Sequence, residues 1–153
     1  MNFIEEVLFN YVLLCSLLGW FSAQVIKVVT EIARGRRTAF NIRILVASGG
    51  MPSAHSATVC ALSASVGRVK GFSSAEFALA FIFAYIVMYD ASGVRRAAGE
   101  QARILNRMIN DRSEDKPAYL EKNLKELIGH TPFEVLVGAL LGILIVLVAP
   151  YPG

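Results

Sequence analysis

The chain has few of the residues that would mark it as a disulfide-rich, metal-binding or disordered protein. It has only two cysteines, Cys15 and Cys60, and both lie in apolar runs without the spacing of metal ligands. A disulfide-stabilised scaffold is therefore excluded. Charged residues make up only 18% of the sequence. Since disordered chains are rich in charge and poor in apolar residues, intrinsic disorder is excluded as well.

Apolar residues are abundant instead. They account for 55% of the 153 residues, and the mean hydropathy is +0.53, which is too high for an ordinary soluble domain. The length is too short for two ordinary domains, so residues 1–153 are expected to form one. A net charge of +3 would suggest nucleic acid binding in a soluble protein. Here the basic residues lie between apolar blocks, so the expected partner is the bilayer and not nucleic acid.

Four apolar blocks predict an all-α integral membrane bundle of about four spans. A helix of 20 residues covers roughly 30 Å, the thickness of the hydrocarbon core. The blocks are residues 7–26, 44–67, 72–89 and 132–150. The helix of the second block is expected to begin near Ser53, a good N-cap residue, and to end at about Gly67. Residues 117–128 carry apolar side chains at helical spacing, which predicts an amphipathic cytoplasmic helix.

Lysine and arginine are concentrated in two of the predicted loops. The loops after the first and third blocks hold 13 of them, whereas the loop after the second block holds only Arg68 and Lys70. Because cytoplasmic loops carry the excess of positive charge, the first and third loops are expected to face the cytoplasm. The sequence therefore predicts a multi-pass protein of the inner cell membrane.

The sharpest motif is the string GGMPSAHS at residues 49–56. Its glycines, Gly50 among them, leave the backbone free to turn its amides toward an anion, and the helix start that follows adds a positive dipole end. Ser53 and His55 would project near the same place, and histidine can exchange a proton near neutral pH. The alternative is an N-cap followed by a packing histidine. A histidine inside an uncharged membrane block is costly unless it is used, which favours a functional site.

A second motif opens the fourth block, from His130 to Glu134. Thr131, Pro132 and Glu134 form a capping-box pattern, which is a complete structural explanation of the carboxylate. Glu134 could instead reach His130, fix its tautomer and raise its basicity, so that the imidazole could attack phosphorus. The sequence leaves both roles open, and the two are compatible.

Basic residues mark the cytoplasmic ends of the other two spans. Lys27 and Arg34 lie about two helical turns apart at the end of the first span. Arg95 and Arg96 follow Asp90 at the end of the third, and a guanidinium group matches phosphate oxygens bidentately. The alternative is plain topogenic charge, with Asp90 pairing an arginine. Because the spans alternate in direction, all four motifs are expected to meet at one face and to supply a nucleophile, a proton donor and a cationic clamp.

These strings resemble a known enzyme family. In order along the chain, Lys27, the PSAH string at residues 52–55, the YDASGVRR string at residues 89–96 and the pair His130 and Glu134 resemble the type 2 phosphatidic acid phosphatases. Vanadium-dependent haloperoxidases are relatives of these enzymes. Three longer strings are similar to the divergent bacterial and plant branch of the superfamily: GGMPSAHSA (residues 49–57), YDASGVRR (residues 89–96) and IGHTP (residues 128–132). The resemblance extends from residue 27 to about residue 142.

The resemblance implies a role for each matching residue. His130 matches the nucleophile that forms a phosphohistidine, Glu134 matches its orienting carboxylate, and His55 matches the acid that protonates the leaving group. Phosphate binding is implied for Lys27, Arg34, Ser53 and the Ala54 amide. No metal and no cofactor are expected, because the converging residues lack the usual set of metal ligands.

The chain departs from the family pattern at the phosphate clamp. Leu124 stands where the family has an arginine ahead of the nucleophile, and Arg34 is not followed by the usual proline. The candidates to replace the missing cation are Arg95 and Arg96 from another helix, and Lys125.

The expected function is metal-independent hydrolysis of a membrane lipid phosphomonoester of the phosphatidylglycerophosphate or phosphatidic acid type. An isoprenoid phosphate is a further candidate substrate. The alternative is a non-catalytic membrane protein that binds or transports anionic lipid headgroups. Because four short spans make a small bundle, a homodimer is also considered.

The predicted orientation can be tested by cysteine labelling in intact cells. A membrane-impermeant thiol reagent should label Lys70→Cys from outside, because the second loop is expected to face away from the cytoplasm. Arg112→Cys should be labelled only after the membrane is opened. Labelling of Lys70→Cys from the cytoplasmic side alone would contradict the orientation.

Overall fold

A computed structural model describes residues 2–33, 50–111 and 129–151. All regular secondary structure in these three ranges is helical, as the sequence predicted. The helices are α1 (Phe3–Leu8), α2 (Tyr11–Ala33), α3 (Ala54–Lys70), α4 (Ala75–Ser92), α5 (Val94–Asp111) and α6 (Pro132–Val148). The amphipathic helix predicted for residues 117–128 lies outside the described residues.

Two of the helical segments are long and apolar enough to cross a membrane. They are Tyr11–Ala33 and Ala75–Met108, and the latter includes the junction of α4 and α5 at Gly93. Pro132–Val148 is apolar but shorter. The helical class is therefore confirmed, and the four complete spans stay a prediction.

Helix α3 is the inner helix of the bundle. Its 17 residues are rich in alanine, serine and glycine, and nine of them are buried. Ser53 caps its first turn, since the Ser53 hydroxyl accepts the Ser56 N–H at 3.3 Å. The predicted start at Ser53 is confirmed, and the helix extends three residues beyond the predicted end at Gly67. An inner helix with small side chains explains why this block is less apolar than the others.

Close backbone approach holds α3 between α2 and α6. A Cβ added at Gly19 of α2 would lie 2.9 Å from the Ala57 carbonyl oxygen, and a Cβ at Gly142 of α6 would overlap the same oxygen. A Cβ at Gly138 would likewise overlap the Ser53 carbonyl oxygen. Small residues spaced four apart let helices pack closely in a membrane, where the interaction is mostly van der Waals contact.

Two backbone hydrogen bonds bring three helix ends together at one end of the bundle. The Ser53 N–H donates to the Glu134 carbonyl at 3.1 Å, which joins the starts of α3 and α6. The His130 N–H donates to the Ala91 carbonyl at 3.1 Å, which joins the α6 start to the end of α4. The convergence expected from alternating spans is thus seen for these three ends.

At the opposite end of the bundle, hydrogen bonds from one arginine of α3 join α2 to the end of α6. Arg68, near the end of α3, donates to the Tyr11 hydroxyl at 3.0 Å and to the Ala149 carbonyl at 2.9 Å. It also donates to the Val146 carbonyl, and its guanidinium lies 5.2 Å from the centre of the Tyr151 ring. A cation at the carboxyl end of α6 also complements the helix dipole.

Large apolar side chains cover the outer face of the helices. Leu144 is 55% exposed, Phe83 is 53% exposed and Leu79 is 73% exposed. A soluble monomer rarely exposes apolar surface on this scale. These faces are suited to contact with lipid, which supports a helical membrane protein.

The packing of α6 on α3 predicts a large effect of one added methyl group. Gly142→Ala should destabilise the protein by about 1–3 kcal/mol, because its Cβ would overlap the Ala57 carbonyl and force the helices apart. The measurement is thermal unfolding in detergent. Val148→Ile adds one carbon at a position that is 75% exposed and should change little. An unchanged melting temperature for Gly142→Ala would show that the helices do not depend on this contact.

Candidate active site

The loop that carries His130 is fixed by backbone contacts on both sides. A Cβ added at Gly129 would overlap the backbone of Arg96, so only glycine fits against the first turn of α5. The His130 N–H is held by the Ala91 carbonyl. His130 itself is only 4% exposed. The imidazole is therefore placed by the α4–α5 junction as well as by its own helix.

One carboxylate oxygen of Glu134 accepts a hydrogen bond at the start of α6 and also faces His130. Its Oε2 atom accepts the Thr131 N–H at 2.9 Å, and the Thr131 hydroxyl accepts the Glu134 N–H at 3.3 Å. The predicted capping box is confirmed. The same Oε2 lies 3.4 Å from His130 Nδ1. The two roles that the sequence left open are geometrically compatible.

The contact between His130 and Glu134 is looser than a well-formed hydrogen bond. A distance of 3.4 Å exceeds the usual N–H···O range, and the buried Nδ1 makes no hydrogen bond within the described part of the chain. Because Nδ1 faces the carboxylate, Nε2 is the ring nitrogen left to meet a substrate. A shift of a few tenths of an ångström would close the pair, as catalytic contacts do when a ligand binds.

The surroundings of His130 favour the neutral imidazole. Burial lowers the pKa of His130 below its usual value of 6.5, and electrostatic interactions with Lys27 and His55 lower it further. Glu134 acts in the opposite direction without reversing the shift. A neutral imidazole keeps the lone pair that a nucleophile needs at neutral pH.

His55 and His130 come together from two different helices. His55 lies in the first turn of α3 and is exposed, whereas His130 precedes α6 and is buried. Their ring centres are 6.4 Å apart, and the ring planes are inclined by 57°. One ring is thus held inside the protein and the other borders solvent, which suits a fixed nucleophile and an exchanging acid.

The N–H and hydroxyl groups of Ser53 are engaged in hydrogen bonds that stabilise the fold. It is fully buried, its N–H is bonded to the Glu134 carbonyl, and its hydroxyl accepts from the Ser56 N–H and from the Ser56 hydroxyl, the latter at 3.0 Å. The next two amides, those of Ala54 and His55, belong to the first turn, where a helix offers no internal acceptor. These two N–H groups are better placed to meet an anion than the Ser53 amide.

The side chain of Lys27 lies against Gly50. It lies in the last third of α2 and is 5% exposed, and its Cε would be 2.9 Å from a Cβ added at Gly50. Gly50 also has a φ of +92°, a region that favours glycine. The charge of Lys27 lies within electrostatic range of Glu134 and Glu31. The positive φ accounts for the glycine at position 50, and its lack of a side chain leaves room for the lysine chain.

The remaining predicted site residues are Arg34, Arg95, Arg96 and Asp90. Arg96 is exposed, and its backbone lies against Gly129. Asp90 is partly buried and directly precedes the Ala91 carbonyl that holds His130. The side chains of Arg34, Arg95, Leu124 and Lys125 lie outside the described residues. Sequence reasoning missed the part played by Ala91 and used Gly129 only as a helix stop, because main-chain contacts leave no side-chain signature.

The site brings together polar groups from several helices. Within the described ranges, no three His, Cys, Asp or Glu side chains are grouped as metal ligands would be. The groups that do come together are two imidazoles, a carboxylate, an ammonium group and the start of α3.

Comparison with known proteins gives the same family as the motifs. The sequence is similar to the uncharacterized membrane protein YuiD of Bacillus subtilis (strain 168), with 45% identity over 156 residues that cover 95% of this chain and 98% of the relative. No solved structure matches the chain. The sequence pattern of the Divergent PAP2 family matches residues 8–145. The chain therefore belongs to the Divergent PAP2 family, a branch related to the phosphatases whose motifs it carries.

Proposed function

We propose that this protein is a membrane lipid phosphatase that hydrolyses a phosphomonoester through a phosphohistidine at His130. The observation that carries the proposal is the pairing of His130 with His55 at 6.4 Å, with Glu134 behind the buried ring. A protein that only bound anions would need the cations and the amides of the α3 start. It would not need one imidazole backed by a carboxylate and a second at solvent.

The proposed reaction is an in-line displacement at phosphorus. The Nε2 atom of His130 forms a P–N bond as the P–O bond to the lipid breaks. His55 donates a proton to the departing alkoxide, which leaves as the lipid alcohol. Water then attacks the phosphohistidine with His55 as base, and release of phosphate restores both imidazoles.

Positive charge around the site would stabilise the transferring phosphoryl group. The charge of Lys27 acts electrostatically on His130, and the Ala54 amide lies at the positive end of α3. Arg96 is the described arginine whose backbone lies beside the His130 loop. In this proposal these groups take the place of the arginine that the family carries at the position of Leu124.

The proposed substrate is a lipid made at the cytoplasmic leaflet. The excess of basic residues in the first and third loops supports an inner-membrane protein with its site facing the cytoplasm. Phosphatidylglycerophosphate and phosphatidic acid present a phosphomonoester at that face. They are therefore the first members of the panel in the experiment below.

Phosphate release from lipid phosphates in mixed micelles tests the proposal. Wild-type protein should release phosphate, and His130→Ala should lose the rate by roughly 10³-fold or more because the nucleophile is gone. His55→Ala should lose about 10²–10⁴-fold, the usual contribution of a general acid. Lys70→Ala, at the far end of α3, is the matched control and should keep the wild-type rate.

The same assay can also contradict the proposal. If wild-type protein releases no more phosphate than His130→Ala from any lipid phosphate, the enzyme proposal fails. Retained binding of the same lipids, measured with vesicles, would then favour the alternative of a headgroup-binding protein.

The pH dependence of the rate tests the role of Glu134. The proposed nucleophile is the unprotonated ring of His130, and the folded environment lowers its pKa below the usual value of 6.5. The wild-type rate should therefore hold at neutral pH. It should decline only below about pH 6.5, as the ring becomes protonated. Glu134→Gln removes the carboxylate that raises this pKa, so the acid limb should move to lower pH. Glutamine can still complete the capping box, so the fold should be kept.

Thr131→Ala is the control for the helix cap. It removes the hydroxyl that accepts the Glu134 N–H, so it should cost about 0.5–2 kcal/mol of stability without moving the acid limb. An acid limb that stays in place in Glu134→Gln would mean that the carboxylate acts on the helix alone.

A further inference from the structure

Helix α5 is strongly amphipathic, and its apolar side is exposed. Val94, Ile104, Leu105 and Met108 recur at helical spacing along this side. Each of the four side chains is between 48% and 61% exposed. The helix of a soluble protein would turn such a side toward its core, so the apolar side of α5 is expected to meet an apolar partner.

The other two sides of α5 are polar. Gly99 and Asn106 lie two helical turns apart and are buried, so the side that faces the rest of the protein carries a glycine and an amide. Arg96, Arg103 and Arg107 lie at helical spacing on a third side, and all three are exposed. This basic side is opposite the apolar one, since an α-helix turns by about 100° per residue.

The start of α5 lies where the neighbouring apolar helices begin and end. Gly93, with φ of −106° and ψ of −80°, interrupts the helix between α4 and α5. The first turn of α5 lies against Gly129, just before the start of α6. Because α4 ends and α6 starts at this level, α5 begins at the surface of the bilayer that these helices enter.

The boundary between water and hydrocarbon suits both exposed sides of α5. In water the apolar side would be uncovered, and in the hydrocarbon core the arginine side chains would be costly. A helix that lies in the plane of the interface satisfies both. With 18 residues, α5 would extend about 27 Å along the surface. Its sequence holds four arginines and two acidic residues, so its charge complements anionic headgroups.

We infer that α5 lies in the headgroup layer of the leaflet beside the histidine site and binds anionic lipids there. Its apolar side enters the boundary of the acyl chains, and its arginines meet the phosphates. These lipids belong to the bilayer and are not consumed, so the inference goes beyond the proposed function. Because Gly129 packs on the first turn of α5, this binding would also fix the His130 loop relative to the membrane surface.

Electron paramagnetic resonance of the spin-labelled full-length protein in nanodiscs tests the inference. Cys15 and Cys60 are buried and are replaced by alanine, so that the label reports one added cysteine. A label at Leu105→Cys should be more accessible to oxygen, which concentrates in hydrocarbon, than to a neutral water-soluble nickel chelate. A label at Arg107→Cys, on the opposite side of the same helix, should show the reverse.

Lipid composition tests the preference for anionic headgroups. Replacing part of the phosphatidylcholine by phosphatidylglycerol should lower nickel access to the Leu105→Cys label about twofold or more, because the anionic surface attracts the arginines of α5. Arg103→Gln combined with Arg107→Gln should abolish this change. Lys70→Gln removes a positive charge at the far end of α3 and should leave the change in place.

Three results would overturn the inference. Nickel access to both labels would place α5 in water. A Leu105→Cys label that neither reagent reaches would mean that protein covers the apolar side, a second copy of this chain included. Equal accessibility in the two lipid mixtures would remove anionic lipid as the partner. None of these measurements depends on turnover, so failure of the proposed phosphatase would be seen separately.

Discussion

The site depends on one main-chain hydrogen bond, from the Ser53 N–H to the Glu134 carbonyl. It joins the starts of two helices that are far apart in sequence, and each start carries one of the histidines. The bond can form because Gly138 lets the backbone of α6 approach the Ser53 carbonyl without a side chain between them. Without this approach, His55 and His130 would belong to separate helix ends with no common chemistry.

Electrostatics around His130 follow from the same packing. Lys27 can act on the ring because α2 packs against α3 through Gly19, and because Gly50 leaves room for the lysine chain. The buried imidazole therefore interacts electrostatically with both Lys27 and the Glu134 carboxylate. Burial and the charge of Lys27 lower the pKa of His130, which favours the neutral ring, and the Glu134 carboxylate faces its Nδ1 atom.

Local signals in the sequence predicted much of this arrangement. The caps at Ser53 and Thr131 follow from side-chain chemistry within four residues, and their helix starts are confirmed. The positions of the histidines at helix starts followed from the same signals. The contacts of Ala91 and Gly129 could not be predicted, because they join backbone atoms across the fold. The number of complete spans was also hard to predict, since the inner helix α3 has small side chains and is no more apolar than many soluble helices.

The double duty of one Glu134 oxygen has a consequence for how this protein can change. The atom that completes the first turn of α6 is the atom that faces the His130 ring. A substitution that removes this oxygen would lose the cap and the contact with the ring together, and only a residue that keeps an acceptor there, such as glutamine, would separate the two. Most changes at position 134 therefore disturb the first turn of α6 and the surroundings of the buried ring at the same time.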